Sequence, residues 1–235
     1  FSYSPYIPTR IPNAHEKNIV WISKSPDESC FLTTSDDGKI IVWDLKTKSK
    51  KLILDGHSNV ARQATFTLDG SKIISVGRDK LIKIWDASTG KELKTLSGHT
   101  DWVECVACMP DGKTFVTGSK DQTVRIWDME SGKEIKTISG YKEYIRTIAV
   151  SPKHKKIIIC GHNISSPLRF IDTDTGEFLE NPETPYASIP SMPWNIVSLF
   201  NLNVAVDESM VGAINYAGEI FFWDLTTGKI LKIFK

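Results

Sequence analysis

Cys105 and Cys108 stand in the stretch "ECVACMP" with C-x-x-C spacing, which suits a redox dithiol or half of a structural zinc site. Such a zinc site needs a second Cys pair or a matching His pair, and neither is present at the right distance. On an extended strand, residues three apart also point to opposite faces. All four cysteines, Cys30, Cys105, Cys108 and Cys160, therefore read as reduced, buried thiols. The run "DTDTGE" from Asp172 hints at a calcium loop, but Gly176 is its fifth residue where an EF-hand wants glycine sixth. A strand-connecting hairpin is the better reading. Asn163 opens an "NIS" sequon, which carries little weight without a secretion signal. No metal site and no cofactor is expected.

The other chemistry-bearing residues recur. His15, His57 and His99 stand 42 residues apart, and Trp43, Trp85 and Trp127 keep the same interval, each Trp 28 residues after its His. The Trp residues close the stretches "DGKIIVWD", "DKLIKIWD" and "DQTVRIWD", with worn versions in "PLRFID" ending at Asp172 and "GEIFFWD" ending at Asp224. A fixed interval of this length marks a repeat architecture. Each unit holds four β-prone runs separated by Asp/Gly/Lys turns: "VECVACM", "TFVTGS", "VRIWDM" and "EIKTISG" in the third.

A four-stranded unit near 42 residues, opening with Gly-His and closing its third strand with Trp-Asp, resembles the WD-repeat β-propeller family. The resemblance covers His15 to Lys235 and implies an all-β fold with five four-stranded blades visible. It also implies a hydrogen-bonded set in each blade: His15, Thr33, Asp37 and Trp43; His57, Ser75, Asp79 and Trp85; His99, Thr117, Asp121 and Trp127. An indole N–H needs a buried acceptor, a hydroxyl can take it and donate onward, and Asp fixes the His tautomer. Ser, His and Asp together also suggest a hydrolase triad, but a triad needs one exposed nucleophile beside an oxyanion hole. Three copies at one spacing are what a folding device produces, so no catalytic residue is assigned.

The later units depart from this pattern. The fourth has Tyr141, Ile159 and Asn163 at the His, hydroxyl and Asp positions, and the fifth keeps Trp223 and Asp224 but has Ala213 and Ala217. The expected division is an N-terminal segment or outer strand of a preceding blade at 1–14, then blades at 15–56, 57–98, 99–140, 141–180 and 195–235. A Pro-rich loop at 181–194 is inserted before the last, either a variable surface loop or a partner-binding or lid segment. Because such rings commonly close with about seven blades, within a range of roughly 4 to 8, the five units read as part of a larger propeller, with compact five-bladed closure the alternative.

Lys and Arg number 29 against 28 Asp and Glu, a balance that gives no global pull toward nucleic acid or membrane. No apolar run approaches the roughly 20 residues that span a bilayer. By analogy with the family, side chains three and five residues after each His, and the one before each Asp, should be exposed on one face. These are Asn18, Val20 and Asp36; Val60, Arg62 and Arg78; Trp102, Glu104 and Lys120; then Tyr144, Arg146 and His162. Partner binding is expected at Arg62, Arg78, Trp102, Glu104, Lys120, Tyr144 and Arg146, a basic and aromatic face suited to an acidic or phosphorylated peptide. The expected function is a non-catalytic scaffold or adaptor for proteins within an intracellular complex, cytoplasmic or nuclear, without nucleic acid or membrane insertion. The alternative is a regulatory or sensor propeller module of a larger multidomain enzyme.

Overall fold

Alternating side chains decide how this chain packs. Ile73 and Ile74 are neighbours in sequence, yet Ile73 joins a core with Leu32, Val42 and Leu54, whereas Ile74 joins one with Val106, Phe115 and Trp127. Successive side chains on a strand point to opposite faces, so a strand apolar at every position serves two cores. Ile157 and Ile158 divide in the same way. The unit that satisfies this pattern is a sheet sandwiched between two others.

The computed structural model describes residues 14–161, 168–180, 182, 199–205, 207–215 and 217–234, with the backbone alone for 199–201. They form five antiparallel sheets and, among the described residues, no helix. The first comprises β1 (Ile19–Lys24), β2 (Cys30–Ser35), β3 (Lys39–Asp44) and β4 (Ser49–Asp55) in chain order. The second comprises β5 (Ala61–Phe66), β6 (Lys72–Gly77), β7 (Ile82–Asp86) and β8 (Glu92–Leu96). The third holds β9 (Val103–Cys108), β10 (Thr114–Ser119), β11 (Val124–Asp128) and β12 (Glu134–Ile138). In the fourth, β13 (Ile145–Ser151), β14 (Lys156–Gly161) and β15 (Leu168–Asp172) are joined by a single bridge from Ile171 to Phe178 in place of a full outer strand. The fifth holds β16 (Leu199–Val204), β17 (Met210–Asn215), β18 (Ile220–Asp224) and β19 (Ile230–Phe234).

The first strands of successive sheets, β1, β5, β9, β13 and β16, contact one another in that order, so the sheets fan around a common axis. Four cores fill the gaps between neighbouring sheets. In the second, third and fifth sheets the Trp of the third strand packs back onto the sheet before it. Tight turns hold the strand ends. Gly38 adopts φ +83°, and a Cβ there would sit 2.6 Å from the His57 carbonyl oxygen, so the first sheet's turn can touch the next His loop only as glycine. Between the fourth and fifth sheets, Glu208 accepts from Ser151 Oγ and Lys153 N, tying the two turns together.

The N-terminal segment 1–14 and the Pro-rich loop 181–194 lie outside the described residues, apart from Ala14 and Pro182, as do His162 and Asn163. The "DTDTGE" run is a turn: Asp172 Oδ1 accepts from the amides of Asp174 and Thr175, and Gly176 takes φ +67°.

Candidate functional site

Two layers of residues build the face on which the His loops lie: one pins the loops, and the other is what the loops present. In the second sheet, Trp85 Nε1 donates to Ser75 Oγ at 2.8 Å, and Ser75 Oγ lies 2.8 Å from His57 Nε2. His57 Nδ1 lies 2.9 Å from Asp79 Oδ2. The first sheet repeats this through Trp43, Thr33, His15 and Asp37, and the third through Trp127, Thr117, His99 and Asp121. The donor sequence follows from the ends. An ionised carboxylate can only accept, so Nδ1–H donates to it, Nε2 accepts the hydroxyl proton, and the hydroxyl lone pair takes the indole N–H. Each Asp also receives the amide of the residue after the His, from Glu16, Ser58 and Thr100.

Burial alone would raise these carboxyls. For Asp79 the hydrogen bond from His57 and the amides of Leu81 and Ser58 outweigh it, and for Asp37 the Lys39 amide and His15 do so, leaving both below the ordinary range. Asp121 is lowered too, against its burial, by His99 and Thr123. Gly77 is part of the same device. A Cβ there would lie 2.8 Å from Asp79 Oδ1, from His57 Nδ1 and from the Val60 carbonyl oxygen. In the fourth sheet the position of the His holds Tyr141 and that of the hydroxyl holds Ile159, and both sit in one apolar core. An aliphatic side chain at the hydroxyl position leaves no polar group there to be orphaned.

On this frame the loops bring Trp102, Arg78 and Lys120 together. The Arg78 guanidinium lies 4.4 Å and Lys120 Nζ 4.3 Å from the Trp102 ring centre, both within cation–π range. The backbone sets this up: Lys120 N donates to the Trp102 carbonyl oxygen at 2.8 Å, and Ser119 Oγ donates to the same oxygen at 2.8 Å. Among the described residues neither Arg78 nor Lys120 makes an ion pair, and Arg78 Nε is buried with no acceptor. With Glu104, Tyr144 and Arg146 these three line a recess of about 110 Å³.

Arg62 and Glu104 behave differently from the exposed pair expected. Glu104 is 7% exposed, and Arg62 Nε donates to its Oε2 at 2.6 Å. Both sit on innermost strands, β5 and β9, at positions that the 42-residue repeat superimposes, and neighbouring innermost strands are close enough for such residues to pair. Val60, also expected on the surface, is buried at 8%, because it packs behind the His loop. Asn18 is exposed, and Val20, Asp36, Tyr144 and Arg146 are half-buried.

Adjoining the recess is a second cavity of about 230 Å³, which shares Glu104 and Arg146 with it and adds Val20, Trp21, Arg62, Gln63 and Thr147. Trp21 and Gln63 escaped the sequence reading. Trp21 lies outside the 28-residue His-to-Trp register, and Gln63 looks like any polar strand residue. A further recess, about 410 Å³, opens among strand-connecting turns and is lined by Asp27, Asp69 and Asp86. Each of these carboxylates is already engaged by neighbouring Ser or Thr hydroxyls.

The C-x-x-C pair is split between environments. Cys105 is fully buried, Cys108 half-buried, and both are free thiols. Burial pushes Cys108 up to about 12 and Cys105 higher still. Among the described residues no group of three or more His, Cys, Asp or Glu converges as a metal site, and no helix is long and apolar enough to cross a membrane.

The repeat units match the family model described as WD domain, G-beta repeat at residues 7–44, 48–86 and 90–128. Among solved structures, that of U3-55K aligns with a TM-score of 0.83 at 20% identity, covering 96% of this chain and 67% of that one. The crystal structure of the RRP9 WD40 repeats aligns with a TM-score of 0.83 at 20% identity, covering 96% and 66%. The chain thus spans about two thirds of the length of either, and at such identity the likeness speaks to fold alone. Repeat spacing, sheet order and the matched family model agree: this chain belongs to the WD-repeat β-propeller family, whose members generally mediate protein–protein interaction.

Proposed function

We propose that this protein is a non-catalytic interaction scaffold that holds an acidic or phosphorylated peptide segment of a partner protein on the face built by Arg78, Trp102 and Lys120. The observation that carries this reading is that two cations are oriented by one aromatic ring and not neutralised by any acid among the described residues. Stacking on Trp102 restricts both side chains without consuming their charge, so less ordering entropy is lost when an anion arrives. Arg78 adds a planar fork matched to carboxylate or phosphate oxygens. Trp102 then acts as the support of the cations, and Arg146 extends the basic rim toward the axis.

The residues that could mimic a hydrolase triad support a non-catalytic reading. Ser75 and Thr117 are fully buried, and each is held by an indole N–H and an imidazole, which leaves no exposed nucleophile. In this reading residues 15–56, 57–98, 99–140, 141–180 and 195–235 are successive blades of a larger ring, 1–14 precedes them and 181–194 is an inserted loop. The partner belongs to an intracellular multi-protein complex, a setting in which four free cysteines are at home.

The test is affinity capture from the native source with the full-length protein and with an Arg78→Glu/Lys120→Glu variant shown to be folded by circular dichroism. Loss of specific partners in the variant alone, with the captured segment rich in Asp, Glu or phosphoserine, is the expected result. An unchanged partner set would sink the assignment of this face.

A further inference from the structure

The second cavity lies where the innermost strands of four sheets meet. Val20 on β1, Arg62 on β5, Glu104 on β9 and Arg146 on β13 occupy one position of the 42-residue repeat, and all four line it. Its polar groups are unevenly satisfied. Gln63 Oε1 accepts from Val106 N at 3.0 Å, and Glu104 Oε2 accepts from Arg62 Nε at 2.6 Å, so these acceptors are engaged. Trp21 Nε1, in contrast, is buried and has no acceptor among the described residues. A buried donor without a partner costs about 1–3 kcal/mol, and a group that supplies the acceptor recovers that cost.

We infer that this cavity is a carboxylate subsite, taking one Asp or Glu side chain of the peptide whose other acidic groups lie on the adjoining recess. The inference rests on the function proposed for that recess. Three features select the group. The orphaned donor, Trp21 N–H, calls for an oxygen acceptor. Arg62 and Arg146 line the cavity with one carboxylate, Glu104, so the lining carries one more positive than negative charge; a phosphate dianion would meet Glu104 at close range. The cavity shares Glu104 and Arg146 with the recess, so a chain lying across the recess can place one side chain in the cavity. Charge on the outer face attracts the ligand, and the axial carboxylate fixes its register.

The probe is an array of acidic peptides, with and without phosphoserine, in which each Glu is changed in turn to Gln; hits are measured by fluorescence polarisation. Against wild-type protein, one Glu→Gln change is expected to weaken binding about tenfold or more, the scale of a charge-assisted hydrogen bond. Trp21→Phe keeps the ring and removes the N–H, and affinity for the Glu peptide should fall about tenfold while the charged lining still favours Glu over Gln. Val20→Phe fills the cavity from its apolar wall with every charge retained, and it should abolish the same preference, so the test does not depend on Trp21→Phe folding. If Trp21→Phe keeps the wild-type affinity and Val20→Phe keeps the wild-type preference, or if no single Glu matters while Lys120→Glu still abolishes binding, the subsite is overturned and the outer face stands. If wild-type protein binds no peptide of the array, both readings fall.

Discussion

Thr117→Val is the sharpest test of the His-hydroxyl-Trp device, because it exchanges a hydroxyl for a methyl group of similar size at a position with no solvent exposure. Thr117 Oγ1 takes the Trp127 indole N–H at 2.8 Å and lies 2.8 Å from His99 Nε2. Valine removes both bonds and orphans two buried groups, each at about 1–3 kcal/mol, while the added methyl returns about 0.8 kcal/mol. The net expectation is a loss of about 3 kcal/mol. In urea denaturation, with a slope of about 3 kcal/mol/M for a chain of this size, the midpoint should fall by about 1 M. Thr117→Ser keeps the hydroxyl and should cost about 1 kcal/mol for the lost methyl. Trp127→Phe introduced into the Thr117→Val background removes one orphan, so it should cost about 1–2 kcal/mol less there than in wild type. A Val variant as stable as the Ser variant, or costs that simply add, would refute the proposed hydrogen-bond accounting.

The carboxyls of Asp37, Asp79 and Asp121 are lowered in the folded state, so their contribution to stability is complete above the unfolded value of about 3.9 and is lost as pH falls through the folded values. Stability from these groups should be flat from pH 7 to 5 and drop below about pH 4, with a shallower drop in Asp121→Asn, as read by acid titration of the circular dichroism signal. At the equivalent turn positions of the first and third sheets, Gly38 has φ +83° and Gln122 φ +70°. Gly38→Ala should therefore cost more than about 1 kcal/mol, given both the conformation and the 2.6 Å approach to the His57 carbonyl oxygen, whereas Gln122→Gly should stabilise by about 0.5 kcal/mol or more; thermal melts decide both. Cys108, pushed up to about 12, and Cys105 should resist a thiol reagent at pH 8 in the native protein and react once urea is added; rapid native labelling would contradict their burial.

Much of this molecule is legible in one dimension because the repeat writes the same local instructions several times. The His, hydroxyl, Asp and Trp positions of the first three sheets come together at hydrogen-bond distance, because each set lies within one antiparallel sheet whose register the turns determine. Arg78, Trp102 and Lys120 were also legible, being loop positions at fixed offsets from that frame. The pairing of Arg62 with Glu104 was not, nor was the burial of Val60 or the place of Trp21 at the axis.

The sequence by itself determined the repeat length, the four-stranded unit, the pinned loops and the basic and aromatic character of one face. Those follow from strand periodicity, turn chemistry and hydrogen bonds confined to a single unit. Only the tertiary structure decided which charges remain available, because residues 42 apart meet only when sheets fan around an axis and bring their innermost strands together. That approach pairs Glu104 with Arg62, leaves Arg78 and Lys120 on Trp102 with no ion pair among the described residues, and encloses an indole donor in a cavity that no single repeat contains.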